Sequence, residues 1–288
     1  MTKTQTPLTL GLGILSAMSL LAGSAQAQTP SEPFHILLTN DDGIGSPGLQ
    51  VLAEALRAVG EVHVVAPCGE RSGSSASVLL RQEIELREVR RDGVMLGRCV
   101  DATPAGAVLF AITTLAPDTG FDLVVSGINR GANVGDLSHM SGTVGGAMTG
   151  AFYGVPAVAA SLGSGRSTYE YPARFVTAFV EELKQRPAMP GIVFSINVPN
   201  LPEADIGGVT IAEMGGSYMR FTYEEVEGEG DSRHFRPNIQ LETAFPDGSD
   251  TEAFMNGMIT ITPMVFDWTA HSLVDQLRGW SLSHEVRR

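Results

Sequence analysis

Apolar and polar positions fall in blocks along this chain that read as strand, turn, helix, strand. Residues 34–39 (FHILLT) form a short apolar run typical of a strand buried on both faces, and the run stops at the turn cluster Asn40-Asp41-Asp42-Gly43. A helix is predicted next. Ser46 suits its cap, Pro47 its first turn, and Leu49, Leu52, Ala53 and Leu56 recur at helical spacing before Gly60 ends it. Residues 62–66 (VHVVA) are a second buried strand, completing the unit of a parallel sheet with right-handed crossovers.

The unit recurs. Thr103-Pro104 opens a helix to about residue 115, and residues 121–126 (FDLVVS) form a strand ending at Gly127-Ile128-Asn129. Ser141-Gly142-Thr143 opens a small-residue helix reaching about Gly154. A strand at 155–161, a helix at 171–185 and a strand at 192–198 follow. The alternation predicts an α/β layered domain with a parallel sheet over about 33–200. Residues 215–256 mix aromatics, charges and an acidic stretch, and read as hairpins or a projecting C-terminal arm. Residues 271–281 read as a terminal helix with Leu273, Val274 and Leu277 on one face.

Residues 1–27 do not fit this pattern and read as a secretory signal peptide. Lys3 supplies the charge, residues 8–21 the apolar stretch, and Ala25-Gln26-Ala27 the cleavage site, leaving 28–288 as one mature domain. A membrane anchor is the alternative, but the run falls short of the ~20 residues that span a bilayer. The expectation is therefore an exported, periplasmic protein with no membrane contact after cleavage. Export bears on Cys68 and Cys99, the only two cysteines in the chain. They are read as two separate buried thiols, with a disulfide as the alternative in an oxidising compartment.

Of the 288 residues, 43% are hydrophobic and 18% charged, enough apolar material for a core and too much for a disordered chain. A formal net charge of −13 repels phosphate backbones and argues against a nucleic-acid scaffold. A small anion then needs a metal, a helix N-terminus or a local Arg to reverse the field.

In open α/β sheets ligands bind beyond the carboxyl ends of the strands. That rule gathers Asp41 and Asp42 after the first strand, the loop Arg71 to Ser75 after the second, and Asn129 and Asn133 after the FDLVVS strand. All offer hard oxygen donors suited to Mg²⁺, Mn²⁺ or Ca²⁺. Two adjacent buried carboxylates repel, and a divalent cation removes the conflict. Taken alone, the pair reads more simply as an Asx turn capping the next helix. Ser141-Gly142-Thr143 reads either as an ordinary cap or as a phosphate cradle of free N–H groups. His139 reads as a surface-loop residue, and His35 as structural.

These residues carry a resemblance. The chain resembles the SurE family of survival-protein nucleotidases through residues 36–56 (ILLTNDDGIGSPGLQVLAEAL), 62–77 (VHVVAPCGERSGSSAS), 100–108 (VDATPAGAV), 122–136 (DLVVSGINRGANVGD), 141–161 (SGTVGGAMTGAFYGVPAVAAS), 196–202 (INVPNLP) and 261–271 (ITPMVFDWTAH). The resemblance implies one divalent metal, Mg²⁺ or Mn²⁺, held by Asp41, Asp42, Ser72 and Asn129, with Asp41 and Asp42 catalytic. It implies a three-layer Rossmann-like core with a mostly parallel sheet over about 33–200 and 257–270, a phosphate site at Asn133, Ser141, Gly142 and Thr143, and a C-terminal arm exchanged between subunits of a homodimer or homotetramer. The implied activity is metal-dependent release of phosphate from nucleoside 5′-monophosphates, extending to 3′-monophosphates, by a metal-bound water. Direct attack by Asp41 is the mechanistic rival. The alternative function is an exported nucleotide- or phosphate-binding module without turnover. The chain departs from the family pattern at Cys68, Ala102, Gly106 and Met140, and in carrying a signal segment where members are usually cytoplasmic.

Overall fold

The computed structural model describes residues 33–165, 168–228 and 232–280; the signal segment expected at 1–27 lies outside them. The compact unit from Pro33 onward is built on a nine-stranded sheet. In chain order its elements begin with β1 (His35–Thr39), α1 (Pro47–Leu56), β2 (Glu61–Pro67), β3 (Leu86–Arg91), β4 (Val94–Val100), α2 (Pro104–Phe110) and β5 (Leu123–Arg130). They continue with α3 (Gly142–Phe152), β6 (Ala157–Leu162), α4 (Glu170–Lys184), β7 (Ile192–Val198), β8 (Val209–Ile211), β9 (Met219–Val226), β10 (His234–Leu241), α5 (Asp250–Met255), β11 (Ile259–Val265) and α6 (His271–Arg278).

The strand order is β3-β4-β2-β1-β5-β6-β7-β11-β8, and the six strands from β4 to β7 are mutually parallel. Strand alternation divides the core. Ile36 and Leu38 face one side with Leu49, Leu52 and Leu56 of α1 and Val176 and Val180 of α4. Leu37 faces the other with Val108 of α2 and Val144, Ala147 and Ala151 of α3. Helices thus cover both faces, giving the expected three layers.

Local chemistry starts the helices where the sequence predicts. Ser46 accepts from Leu49 N, Thr103 from Gly106 N at 3.0 Å, and Ser141 from Val144 N at 3.1 Å; a proline follows the first two caps. Strand β5 runs past its expected end to Arg130, and its register against β6 shifts between Ser126 and Asn129. That shift sets Asn129 opposite Ser161 on β6.

β9 and β10 pair antiparallel as a separate two-stranded sheet, with Phe221, Tyr223, Phe235, Ile239 and Leu241 exposed. Helix α5 instead joins the main sheet. The buried Asp250 carboxylate accepts from Gly135 N at 2.9 Å and Gly215 N at 3.0 Å, tying three segments together.

The reading of Cys68 and Cys99 as separate thiols is corrected. They form a disulfide with Cα atoms 4.8 Å apart, because β2 pairs with β4 and brings Cys68 beside the end of that strand. At a sequence separation of 31, the chain-entropy model assigns the bond about 3–4 kcal/mol. A reducing agent, or a Cys68→Ser and Cys99→Ser double variant, should lower the denaturation midpoint accordingly. An unchanged midpoint under reduction would remove the bond from the account of stability.

Candidate active site

The sheet reverses its winding between β1 and β5: the chain first adds β2 on one side of β1 and later β5 on the other. Such a switch point opens a crevice beyond the carboxyl ends of the strands. Asp41 and Asp42 leave β1 into this crevice, and Asn129 and Arg130 flank it at the end of β5.

Asp41 is almost fully buried and is held by the first turn of α3. Its Oδ1 accepts from Thr143 Oγ1 at 2.5 Å, and its Oδ2 accepts from Thr143 N at 3.1 Å. A carboxylate at a helix N-terminus meets unpaired N–H groups and the positive end of the helix dipole. Asp42 accepts from Arg130 N at 3.1 Å. Burial nevertheless pushes both carboxyls above the ordinary carboxylate value, and the charge of Asp42 pushes Asp41 further up. Arg130 pulls Asp42 back only in part, and Glu70 opposes it.

Glycine at 142 is required by this packing. A Cβ there would lie 2.9 Å from Asp41 Oδ2 and 2.7 Å from Ser74 Oγ. The Ser74 hydroxyl is itself buried with no hydrogen-bond partner among the described residues, an orphan donor against the same cradle. The loop carrying it is anchored by Arg71, whose N–H donates to Asp41 O at 2.7 Å while its guanidinium pairs with Asp101 at 2.6 Å.

The structure brings the expected residues to one rim with differences in their contacts. Asn129 donates its amide N–H to Gly131 O at 2.7 Å, which leaves its side-chain oxygen for a ligand. Ser72 lies on the exposed loop and donates to Glu70 Oε1 at 3.1 Å instead of meeting the Asp pair. Asn133 is buried, with its amide on Ser161 Oγ at 2.9 Å and its own N–H on Asn197 Oδ1 at 2.7 Å. The two donors of Thr143 are spent on Asp41. Among the described residues, those without an acceptor in the predicted cradle are the N–H groups of Ser141 and Gly142. Ser74 and Arg130 were not singled out from sequence. The hydroxyl-rich RSGSS loop was the available signal for the first, while nothing local marks the Arg130 N–H.

Two adjacent carboxylates, one buried and one half-buried, with a free amide oxygen and an orphan hydroxyl form a hard-oxygen donor set, and this fits a divalent cation of the Mg²⁺ or Mn²⁺ kind. Among the described residues, a group of three His and carboxylate side chains that could hold a metal lies elsewhere, at His35, Glu61 and His63, where β1 and β2 begin.

Beside the start of α3 lies a cavity of about 580 Å³, lined in part by Ser75, His139, Val144, Met148, Phe266 and Trp268. The rings of His139 and Trp268 meet edge to face, with centroids 6.1 Å apart. His139 is exposed, as its loop position suggested. Among the described residues no helix is long and apolar enough to cross a membrane.

Residues 36–220 match the family model for survival protein SurE. The chain is 35% identical over 251 residues to a 5′-nucleotidase SurE of Vibrio campbellii, covering 87% of this chain and 95% of the relative. It is 35% identical over 252 residues to a 5′-nucleotidase SurE of Geobacter sulfurreducens, covering 86% and 94%. The crystal structure of SurE protein from Aquifex aeolicus superposes with a TM-score of 0.74 at 29% identity, covering 85% of this chain and 98% of that one.

Proposed function

The chain belongs to the SurE family, and from that premise we propose that it is a metal-dependent 5′-nucleotidase, a phosphomonoesterase acting on nucleoside 5′-monophosphates and, more weakly, on 3′-monophosphates. The observation that carries this is the Asp41–Asp42 pair at the rim, with Asp41 buried and clamped by Thr143 at the start of α3.

Asp41, Asp42 and Asn129 would hold one divalent cation, with Ser72 joining when its loop turns from Glu70. When bound, the cation neutralises charge on a phosphoryl oxygen and makes water a better nucleophile. The chain's own groups do the rest. Thr143 fixes the Asp41 carboxylate in one orientation. The Ser141 and Gly142 N–H groups, at a helix N-terminus, receive phosphate oxygens and stabilise the charge that grows on them. Asn133 stiffens the rim through Ser161 and Asn197 and would reach phosphate by exchanging its Ser161 contact. Asp41 orients the attacking water or accepts its proton. The neighbouring cavity is placed to take the nucleoside, with Trp268 offering a stacking face.

Phosphate release from 5′- and 3′-nucleoside monophosphates and from ribose 5-phosphate, with and without Mn²⁺, tests this reading. The expected result is metal-dependent release, with KM at least tenfold lower for nucleotides than for ribose 5-phosphate. Binding without release would make the protein a nucleotide-binding module. Equal KM values would remove the cavity from substrate recognition.

The exposed apolar residues of the β9–β10 pair support its role as an arm between subunits of a homodimer or homotetramer. Light scattering at the monomer mass would refute it. The Cys68–Cys99 disulfide supports export to an oxidising compartment. In protein purified from its own host, mass analysis should place the N-terminus at Gln28, and an intact Met1 would overturn export.

A further inference from the structure

At the end of the strands opposite the Asp pair, β1 and β2 begin side by side. Their parallel register sets His35 opposite Glu61 and Leu37 opposite His63. Paired residues in a parallel ladder share a face, and residues two apart on a strand share it too. His35, Glu61 and His63 therefore project together on the side of the sheet that also carries Leu37 and Phe121.

Their ligand atoms converge. His35 Nδ1 lies 3.2 Å from His63 Nε2 and 3.7 Å from Glu61 Oε2, and His63 Nε2 lies 3.5 Å from Glu61 Oε1. A tetrahedral ion with bonds of about 2.05 Å needs ligand atoms about 3.3 Å apart; the imidazole–imidazole distance matches this, and the distances to the two carboxylate oxygens lie a few tenths of an ångström beyond it.

The surroundings favour this use over a buried ion pair. The His63 ring packs edge-on to Phe121 with centroids 5.4 Å apart, and the His35 backbone N–H donates to Asp122 Oδ2 at 2.7 Å. These contacts hold both histidines in place and put a second carboxylate nearby. His35 is buried and Glu61 exposed, so one side of the cluster stays open to water as a fourth ligand. Burial pushes the His63 pKa below the ordinary imidazole value, with Arg98 and His35 adding to the shift and Glu61 opposing it.

We infer that His35, Glu61 and His63 form a second metal site, distinct from the nucleotidase centre, that takes a borderline cation such as Zn²⁺ through two imidazoles and one carboxylate, with water completing the shell. Imidazole ligands select Zn²⁺, Ni²⁺ or Cu²⁺, whereas the all-oxygen rim selects Mg²⁺ or Mn²⁺. His35 and Asp41 are six positions apart along β1 and its turn, about 20 Å of extended chain. The ion at this end therefore staples the starts of two central strands and takes no part in phosphate chemistry.

The test is a Zn²⁺ titration against a chromophoric chelator, run on the full chain, on Asp41→Asn, on His63→Gln and on Glu61→Gln, with circular dichroism to confirm folding. One Zn²⁺ equivalent should survive in Asp41→Asn. Its affinity should fall at least tenfold in His63→Gln, and by a smaller factor in Glu61→Gln, whose exposed side chain makes loss of fold no concern. Mn²⁺-dependent nucleotidase activity should be unchanged in both of these variants. Zn²⁺ binding that is equal in all three single variants and the parent, or that is lost only in Asp41→Asn, would overturn the second site. Loss of activity in Asp41→Asn with retained Zn²⁺ binding separates this inference from the fate of the proposed function.

Discussion

Asp41→Asn should keep its fold while turnover of nucleoside 5′-monophosphates at saturating Mn²⁺ falls by roughly 10³-fold, equivalent to about 4 kcal/mol of lost transition-state stabilisation. The variant keeps the volume of the side chain but removes its charge. It also places an NH₂ group where one carboxylate oxygen now accepts from Thr143. Asp42→Asn should behave alike. Stability should move the other way. Burial raises both carboxyls, so ionising them costs the metal-free fold; that cost appears as pH rises from 3.8 and is complete once pH passes the raised values. An amide carries no such cost. At neutral pH without metal, either variant should therefore melt at or above the parent, while Mn²⁺ should raise the melting temperature of the parent alone. The checks are steady-state phosphate release and thermal denaturation with and without Mn²⁺. Near-parental metal-dependent turnover in either variant would sink the assignment of the pair.

Gly145→Ala should be the most damaging single methyl group in the site. Gly145 lies one helical turn from the phosphate cradle, where α3 presses on the 71–77 loop. A Cβ there would lie 2.0 Å from Ser75 O and 2.7 Å from Ala76 N, against ordinary contact of 3.4 Å or more. Both neighbours are backbone, so no rotamer change relieves the overlap, and helix and loop must separate by more than an ångström. The loop is not free to drift, since Ser75 donates to Met140 O through its N–H and to His139 O through its hydroxyl. Overpacking of this kind costs about 1–3 kcal/mol, and displacement of Ser74 and the start of α3 should lower kcat/KM by about 10²-fold. Gly69→Ala is the control: it belongs to the turn after the same strand, and a Cβ there meets nothing within 4 Å. Denaturation midpoints and kcat/KM on the two variants decide. If Gly145→Ala matched Gly69→Ala in both, the close seating of α3 on the loop would be wrong.

Much of this protein is legible before any coordinates. The apolar runs at 34–39, 62–66 and 192–198 specify buried parallel strands because each is short and bounded by turn residues, and the caps Ser46, Thr103 and Ser141 start helices by satisfying their own first-turn N–H groups. The adjacency of Asp41 and Asp42 after β1 is likewise local, and their place at the rim follows from the rule for open sheets. The contacts that give the site its chemistry are of another kind. Thr143 meets Asp41 across 102 residues, Arg130 N–H meets Asp42 across 88, and Cys68 finds Cys99 only because β4 comes to lie beside β2. The same holds at the far end, where His35 and His63, each unremarkable in its own strand, meet through the register of β1 against β2. Periodicity along a chain fixes which face a side chain takes, since that depends only on near neighbours. Which strand stands beside which, and in what register, depends on the packing of the whole core, and those choices alone bring distant oxygen and nitrogen atoms to within bonding distance of one another.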